Sequence, residues 1–227
     1  MLQAVLFDVD GTLVDSNQLH AEAWSEAFRK FGLNVHAADV QVQIGKGGDQ
    51  LLPVFLNEKQ RDEFGEELTK FRGELFRRDY MAKAKPFPGV RELFQRILQH
   101  GLKISLATSA KDEELKQLKK IAGIENLIHE ETKSDDVERS KPYPDIFSAA
   151  LEKLGVEADH ALAIGDTPWD VQACNKIHLR TVAFTCGGWK EQDLRDAGAI
   201  EVFGGPEDLL KNYEKSALAE PENQRAA

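Results

Sequence analysis

Two aspartates separated by one residue, Asp8 and Asp10, follow a short apolar run near the start of the chain, in the stretch VLFDVDGTLVDS (residues 5–16). Close carboxylates repel each other, and burial at the end of a strand makes the repulsion stronger. Residues i and i+2 of a strand point to the same side, so both carboxylates can face one ligand. The spacing therefore predicts that a cation offsets the two negative charges.

Three further groups of polar residues lie at or just after the ends of predicted strands. Thr108 and Ser109 follow the run LKISLA, Lys141 lies in RSKPYPD, and Asp166 and Asp170 lie in AIGDTPWD. The carboxyl ends of parallel strands converge on one edge of the sheet, which is where ligands bind in open α/β folds. We therefore expect these side chains to share a site with the two aspartates of the first motif.

The elements that would position these residues alternate between strand and helix. Helical stripes of apolar residues at 90–98 and 146–154 separate the β-rich runs, and Gly155 is placed to end the second helix. This alternation predicts a parallel sheet covered by helices on both faces. The predicted strands are residues 4–7, 102–107, 161–164, 179–184 and 200–203, with a weaker one at 127–129.

One long interval, residues 16–85, has helical periodicity and no convincing strand. Ser16 is a candidate cap for its first helix, and AKAKPFPG (residues 82–89) has the composition of a linker. We therefore predict an α/β protein with a Rossmann-like parallel sheet core, residues 1–15 and 86–212, and an all-helical cap domain inserted after the first strand. The polar stretch 213–227 is predicted to be a disordered tail.

The bulk composition excludes several classes of function. The chain has 227 residues, of which 41% are hydrophobic, and a net charge of −10, which argues against binding to nucleic acids or anionic membranes. No apolar run approaches the ~20 residues of a membrane span. The two cysteines, Cys174 and Cys186, have no metal or redox spacing, and we expect a cytoplasmic protein.

The four motifs together resemble the haloacid dehalogenase superfamily, in particular its capped phosphatases of the phosphoglycolate phosphatase and beta-phosphoglucomutase-like branch. The resemblance covers residues 2–210. It implies a phosphatase that acts on a small phosphorylated metabolite, such as a sugar phosphate or phosphoglycolate. It also implies Mg²⁺, a hard cation that prefers oxygen ligands and shares its coordination shell with phosphate and water.

The resemblance also implies roles for individual residues. Asp8 would be the nucleophile that forms an aspartyl-phosphate, and Asp10 would protonate the leaving oxygen and then activate water. Lys141 would neutralise Asp8 and the transferring phosphoryl group. The phosphate oxygens would be bound by Thr108 and by the backbone of Ser109. The expected metal ligands are Asp8, the backbone carbonyl of Asp10, and Asp166, with Asp170 either a ligand or an orienting group.

The roles of the residues in the predicted cap remain open at this stage. His20 and Trp24 lie one turn apart on the first cap helix and form either a substrate edge or cap packing. Lys46, in the glycine-rich loop IGKGGD, is a candidate substrate contact. The arginines of the long charged helix, Arg72, Arg77 and Arg78, are expected to form a solvated face.

Other functions within and outside the superfamily compete with the phosphatase. A beta-phosphoglucomutase-like transfer is the alternative, since such mutases have a histidine where this chain has His20. However, they carry Glu-Asp where this chain has Gly165-Asp166, and an arginine in the cap loop. Asp10 disfavours dehalogenation, whose enzymes have a tyrosine there, and phosphonate hydrolysis needs a cap lysine as Schiff-base nucleophile. A non-catalytic binding module would not need the intact set of motifs.

Overall fold

The computed structural model describes residues 1–219, and its centre is a parallel sheet of six strands. The spatial order is β5-β4-β1-β6-β7-β8, so the first strand lies in the middle. In this sheet Phe7 is paired with Leu106 on one side and with Ile164 on the other. The strands are β1 (Ala4–Phe7), β4 (Lys103–Ala107), β5 (Glu130–Thr132), β6 (Ala161–Gly165), β7 (Arg180–Phe184) and β8 (Glu201–Phe203).

Helices cover both faces of this sheet, as the alternating pattern predicts. Along β1, Val5 and Phe7 point into one core and Ala4 and Leu6 into the other, because successive side chains of a strand alternate. The first core is closed by α6 (Val90–Gln99), α7 (Asp112–Ala122) and α11 (Pro206–Lys211), and the second by α8 (Asp145–Leu154) and α9 (Pro168–Asn175). A further helix, α10 (Glu191–Asp196), lies between β7 and β8.

The chain leaves the sheet after β1 and forms a helical cap with a core of its own. Trp24, Phe28, Leu51 and Leu68 are buried in that core. Two short strands, β2 (Val14–Asp15) and β3 (Lys85–Pro86), pair antiparallel where the chain enters and leaves the cap. The cap helices are α1 (Asn17–Lys30), α2 (Ala37–Gln41), α3 (Gly48–Phe55), α4 (Glu58–Gln60) and α5 (Glu66–Leu75), with π-helical turns at Arg61–Gly65 and Phe76–Tyr80.

Three local predictions differ from the structure. The strand expected at 127–129 lies three residues later, as β5, because this edge strand has a polar sequence that gives little hydrophobic signal. The hydroxyl of Ser16 makes no capping hydrogen bond to α1 and instead donates to Asp10. Residues 213–219 are not a free tail, because Tyr213, Ala217 and Leu218 are buried against the sheet core. Residues 220–227 of that predicted tail lie outside the described residues.

We expect Gly73→Ala to stabilise the protein by about 0.5–1 kcal/mol, because glycine weakens a helix interior relative to alanine. Gly73 lies within α5, and an added Cβ would have its nearest contact, Arg77 Nη1, at an ordinary 3.5 Å. Chemical denaturation measures the change. The matched substitution Gly32→Ala should instead destabilise by roughly 1 kcal/mol, because Gly32 has a φ of +78°. Equal effects at the two positions would contradict this reasoning.

Candidate active site

Asp8 and Lys141 form a buried ion pair at the carboxyl end of β1. Lys141 Nζ lies 2.5 Å from Asp8 Oδ1 and 2.6 Å from Asp170 Oδ1, and the lysine side chain is only 1% exposed. Burial raises the pKa of Asp8 to about 7, against the lowering effect of Lys141, and the charge of Asp170 also raises it. The ammonium group of Lys141 is therefore paired with two carboxylates, Asp8 and Asp170. This group of side chains has an excess of negative charge.

Asp166 lies at the end of β6 and is held by two donors from the segment after β1. Thr12 Oγ1 donates to Asp166 Oδ1 at 2.8 Å, and Asn17 Nδ2 donates to Asp166 Oδ2 at 2.7 Å. Burial raises the pKa of Asp166 well above its ordinary value, and the charges of Asp170 and Asp8 add to this effect. The two donors fix the direction of a carboxylate that is costly to bury.

The backbone passes very close to the Asp166 carboxylate at two glycines. An added Cβ at Gly11 would lie 2.4 Å from Asp166 Oδ2, and one at Gly187 would lie 1.8 Å from the same oxygen. Gly11 also has a φ of +76°, which disfavours any other residue. These two glycines are therefore required by the space that the carboxylate occupies.

Asp170 binds two different partners with its two oxygens. Its Oδ2 accepts hydrogen bonds from the backbone N–H of Thr167 at 3.1 Å and from the Thr167 hydroxyl at 2.7 Å. The backbone N–H of Asp170 donates in turn to Thr167 Oγ1 at 3.3 Å, which completes a capping box at the start of α9. Its Oδ1 faces Lys141. Oδ2 is thus occupied by Thr167, whereas Oδ1 has the ion pair with Lys141 and no hydrogen-bond partner among residues 1–219. The contacts with Thr167 and Lys141 favour the orienting role that the sequence left open for Asp170.

The three carboxylates at this edge could hold a metal ion. One oxygen each from Asp8, Asp166 and Asp170 can be chosen so that all lie within 4.8 Å of one another. A set of buried oxygen donors with an excess of negative charge suits a hard dication such as Mg²⁺. The residues present therefore fit the metal that the sequence resemblance implies, and a bound dication would offset the repulsion among them.

Asp10 points away from this cluster, towards the cap. Its Oδ1 accepts a hydrogen bond of 2.6 Å from Ser16 Oγ and lies 2.9 Å from His20 Nε2. Burial acts to raise the pKa of Asp10, but His20 and the Ser16 hydroxyl outweigh it and hold the pKa below its ordinary value. The two aspartates of the first motif thus occupy different environments, one beside the carboxylate cluster and the other beside cap residues.

Thr108 and Ser109 follow β4 and line a cavity between the sheet edge and the cap. The backbone N–H of Ala110 donates to Thr108 Oγ1 at 3.1 Å, so this hydroxyl also closes a local turn. The cavity has a volume of about 60 Å³ and is bounded by Asp8 and Asp10 on the core side. The cap therefore leaves only a small space above the carboxyl end of β1.

The glycine-rich cap loop contacts the core beside this cavity. Lys46 Nζ donates to Gln43 Oε1 at 2.6 Å and lies 3.9 Å from the ring centroid of Trp169, at the start of α9. Burial lowers the pKa of Lys46. Gly45 lies against Thr167, where an added Cβ would come within 2.8 Å of that side chain. The loop thus rests on the residues that position Asp170.

Comparison with protein families gives a match over residues 5–184 to the model described as haloacid dehalogenase-like hydrolase. The chain belongs to this family. The match spans the strand-end positions of Asp8, Thr108 and Asp166 and also Lys141, which lies in the turn before α8 and not at the end of a strand. The buried cluster therefore lies within the matched region.

Two relatives illustrate the range of this hydrolase family. The chain is 29% identical to a phosphoglycolate phosphatase of Aquifex aeolicus, over 92% of this chain and 96% of that protein. It is 33% identical to the chloroplastic protein SUPPRESSOR OF QUENCHING 1 of Arabidopsis thaliana, over 87% of this chain. The chain spans only 19% of the length of that second relative.

Two solved structures share the whole architecture. A hydrolase from Pseudomonas syringae has a TM-score of 0.88 at 30% identity, with 94% of this chain and 98% of that chain covered. A Bacteroides vulgatus protein provisionally assigned as a beta-phosphoglucomutase has a TM-score of 0.85 at 28% identity, with 96% and 91% covered. The fold, sheet and inserted segment together, is therefore shared with these two structures.

Several residues of this hydrolase site were not expected from the sequence. Asn17 gives no motif signal, because an amide in the first turn of a helix is common. The prediction of a solvated face is wrong for Arg72, which lines the cavity and lies 3.3 Å from His20 Nδ1. Glu114 of α7 is buried at the same cavity. The pattern of a charged helix does not tell which of its arginines faces the cavity, so only the folded structure could place Arg72 there. The same holds for Glu114 of α7.

Among residues 1–219, no helix is both long enough and apolar enough to cross a membrane.

Proposed function

We propose that this hydrolase is a Mg²⁺-dependent phosphatase that acts on a small phosphorylated metabolite through an aspartyl-phosphate on Asp8. The observation that carries the proposal is the buried cluster of Asp8, Lys141, Asp166 and Asp170 beneath a cavity closed by the cap. The phosphoglycolate phosphatase relative from Aquifex aeolicus supports the reaction class.

In this proposal a carboxylate oxygen of Asp8 attacks phosphorus, and the ester bond between phosphorus and the leaving oxygen breaks. Lys141 favours the ionised form of Asp8 against the effect of burial and offsets the charge of the phosphoryl group. Thr108 and the backbone N–H of Ser109 bind phosphoryl oxygens. Bound Mg²⁺, held by Asp8, Asp166 and the backbone carbonyl of Asp10, would supply charge neutralisation at the phosphoryl group. Asp170 would hold Lys141 in position.

Asp10 would supply and then recover the proton. It donates a proton to the leaving oxygen, and in the second step it takes a proton from the water that attacks the phosphorus of the aspartyl-phosphate. That attack releases inorganic phosphate and restores the Asp8 carboxylate. Since Ser16 and His20 both contact Oδ1 of Asp10, its Oδ2 is the oxygen directed to the substrate in this scheme.

The proposal is tested by measuring phosphate release from a panel of phosphorylated metabolites with and without Mg²⁺. We expect release from at least one small phosphomonoester, and we expect chelation by EDTA to abolish it. Release that is unaffected by EDTA would contradict the metal role. If a sugar phosphate is isomerised and no phosphate appears, the alternative transfer reaction replaces hydrolysis.

The mutase alternative draws support from the similar Bacteroides vulgatus structure and from the contact between His20 and Asp10. The geometry at Gly165 weighs against it, since an added Cβ there would lie 2.6 Å from Asp170 Cβ. A glutamate at position 165, which the mutases of this branch carry, would displace the residue that faces Lys141. Hydrolysis is therefore the better-supported proposal.

We expect Thr12→Val and Asn17→Ala each to weaken Mg²⁺ binding by about 10–100-fold, which is typical when a residue that orients a metal ligand is lost. Each removes one of the two donors to Asp166. Calorimetric titration with MgCl₂ measures the Kd. Thr69→Val is the matched control, because this hydroxyl donates only to the backbone of Gly65 in the cap. An unchanged Kd in both site variants would contradict the assignment of Asp166 as a ligand.

A further inference from the structure

We propose that Arg72 makes the enzyme selective for substrates whose leaving group carries a second anionic group, either a carboxylate or a second phosphate. This inference rests on the proposed phosphatase function and specifies its substrate class. It starts from the position of the guanidinium, which lines the cavity together with Asp8, Asp10 and Thr108.

The guanidinium lies directly behind the proposed proton donor. Arg72 Nη1 is 3.3 Å from His20 Nδ1, and His20 Nε2 is 2.9 Å from Asp10 Oδ1. A guanidinium can only donate hydrogen bonds, so Nδ1 of His20 accepts this one and Nε2 carries the proton that is shared with Asp10. A leaving group whose oxygen is protonated by Asp10 must extend from Asp10 into the cap, and Arg72 lies on that path.

The donors of Arg72 are incompletely used within residues 1–219. Its Nε is buried and has no hydrogen-bond partner in this part of the chain. Its nearest carboxylate, Glu114, lies 3.7 Å from Nη1, which is beyond hydrogen-bond distance, and Arg77 lies 3.9 Å from the same oxygen. Arg77 also lies 3.6 Å from Glu113, whereas Glu114 is the acid within 4.0 Å of Arg72 among residues 1–219.

The neighbouring side chains hold the guanidinium of Arg72 in place but do not accept all of its hydrogen bonds. The guanidinium carbon of Arg72, Cζ, lies 4.9 Å from the ring centroid of Trp24, which is the distance of a cation–π contact. The other cap cation at the cavity, Lys46, is already bonded to Gln43 and lies over Trp169. A planar guanidinium with open donors is suited to bind a carboxylate or phosphate through two hydrogen bonds.

A neutral leaving group would bury Arg72 further without giving it a partner, which costs binding energy. An anionic group would accept hydrogen bonds from Arg72. It would also offset the positive charge of Arg72, which Glu114 offsets only from 3.7 Å. The position of Arg72 therefore separates substrates by the charge at the far end of the leaving group.

The test compares three substrates with the same two-carbon frame, in the full chain with Mg²⁺. They are 2-phosphoglycolate, ethylene glycol monophosphate and ethylene glycol bisphosphate. We expect kcat/KM to be at least about tenfold higher for one or both of the anionic substrates than for the neutral one, as for other charge-assisted contacts. Comparison of kcat/KM for the bisphosphate and for 2-phosphoglycolate tells whether Arg72 binds a phosphate or a carboxylate better.

Arg72→Gln should reduce this ratio to near one, and Arg72→Lys, which keeps the charge, should retain part of it. Arg77→Gln is the matched control, because Arg77 also faces Glu114 from the cap but does not line the cavity. We expect the control to keep the wild-type ratio. Circular dichroism melting curves establish that each variant is folded.

A wild-type ratio near one would overturn the inference, as would an equal loss of the ratio in the Arg72→Gln and Arg77→Gln proteins. In both cases phosphate release that depends on Asp8 would leave the proposed phosphatase function intact. If none of the wider panel of phosphomonoesters releases phosphate, the proposed function fails and the inference fails with it.

Discussion

Asp8→Asn should reduce phosphate release by at least ~10³-fold, which is a conservative figure for removing a nucleophile from an enzyme. The amide is a poor nucleophile and cannot form the acyl phosphate. It also removes one of the charges that would bind the metal. Release of the dephosphorylated leaving group under single-turnover conditions measures the loss, because it reports the first chemical step, before the aspartyl-phosphate is hydrolysed.

The same substitution should leave the fold intact. Burial raises the pKa of Asp8 to about 7, so the protein gains little from keeping this carboxylate charged when no metal is bound. The asparagine side chain has the same shape, and its carbonyl oxygen can still accept a hydrogen bond from Lys141. We expect the thermal midpoint to remain close to that of the wild type, so that the loss of activity cannot be attributed to unfolding.

Asp15→Asn is the matched control for this prediction. Asp15 belongs to the same motif, and its side chain is exposed at β2. We expect this variant to retain wild-type phosphate release. More than a tenth of the wild-type rate in Asp8→Asn would contradict the assignment of Asp8 as the nucleophile.

Lys141→Met should destabilise the protein by about 3–5 kcal/mol, the usual cost of leaving a buried charge without its partner. Methionine is close to lysine in length, so the change keeps an aliphatic side chain and removes the ammonium group together with its cation–π contact, 5.3 Å from the ring centroid of Phe147. Two carboxylates, Asp8 and Asp170, then face each other without the cation between them. Urea denaturation without Mg²⁺ measures the free energy of unfolding, and activity should be lost as well.

Two further variants make this prediction specific. Adding Asp170→Asn to Lys141→Met should restore part of the stability, because it removes one of the uncompensated charges. Lys153→Met removes an ion pair of 2.7 Å with Asp136 on the surface, and it should cost less than about 1 kcal/mol. If the two lysine variants had equal stability, the buried pair would not be a determinant of this fold.

The sheet and the strand-end motifs could be predicted because their signals are local. Residues 4–7 form a short apolar run, and the strand has those bounds. Asp8 and Asp166 lie at the same edge because parallel strands share a direction. Lys141 reaches them from the turn before α8, and Asp170 from the first turn of α9. Their catalytic roles remain predictions, which the variants above address.

The contacts between the cap and the core could not be predicted in the same way. Arg72 and Arg77 have the same residue type on the same stretch of helix, and only the packing of the cap decides which one meets His20. Ser16 was expected to accept a capping hydrogen bond at the start of α1, but its hydroxyl accepts none from the helix and donates to Asp10. Tyr213 lies in a polar segment whose composition hides the apolar side chains that cover the sheet.

The pairing of β2 with β3 has a consequence for how the molecule can be rebuilt. Asp15 lies directly opposite Lys85 in an antiparallel pair, so the inserted segment leaves the core and returns to it at adjacent points. A two-residue turn such as Asn-Gly between these positions would close a hairpin in place of residues 16–84. The core could therefore accept a cap of a different size or sequence, or none, without a change in the path of the sheet. Ser16 and Asn17 bind Asp10 and Asp166, so a replacement cap that retains these two residues would be needed to change the choice of substrate while keeping both contacts at the sheet edge.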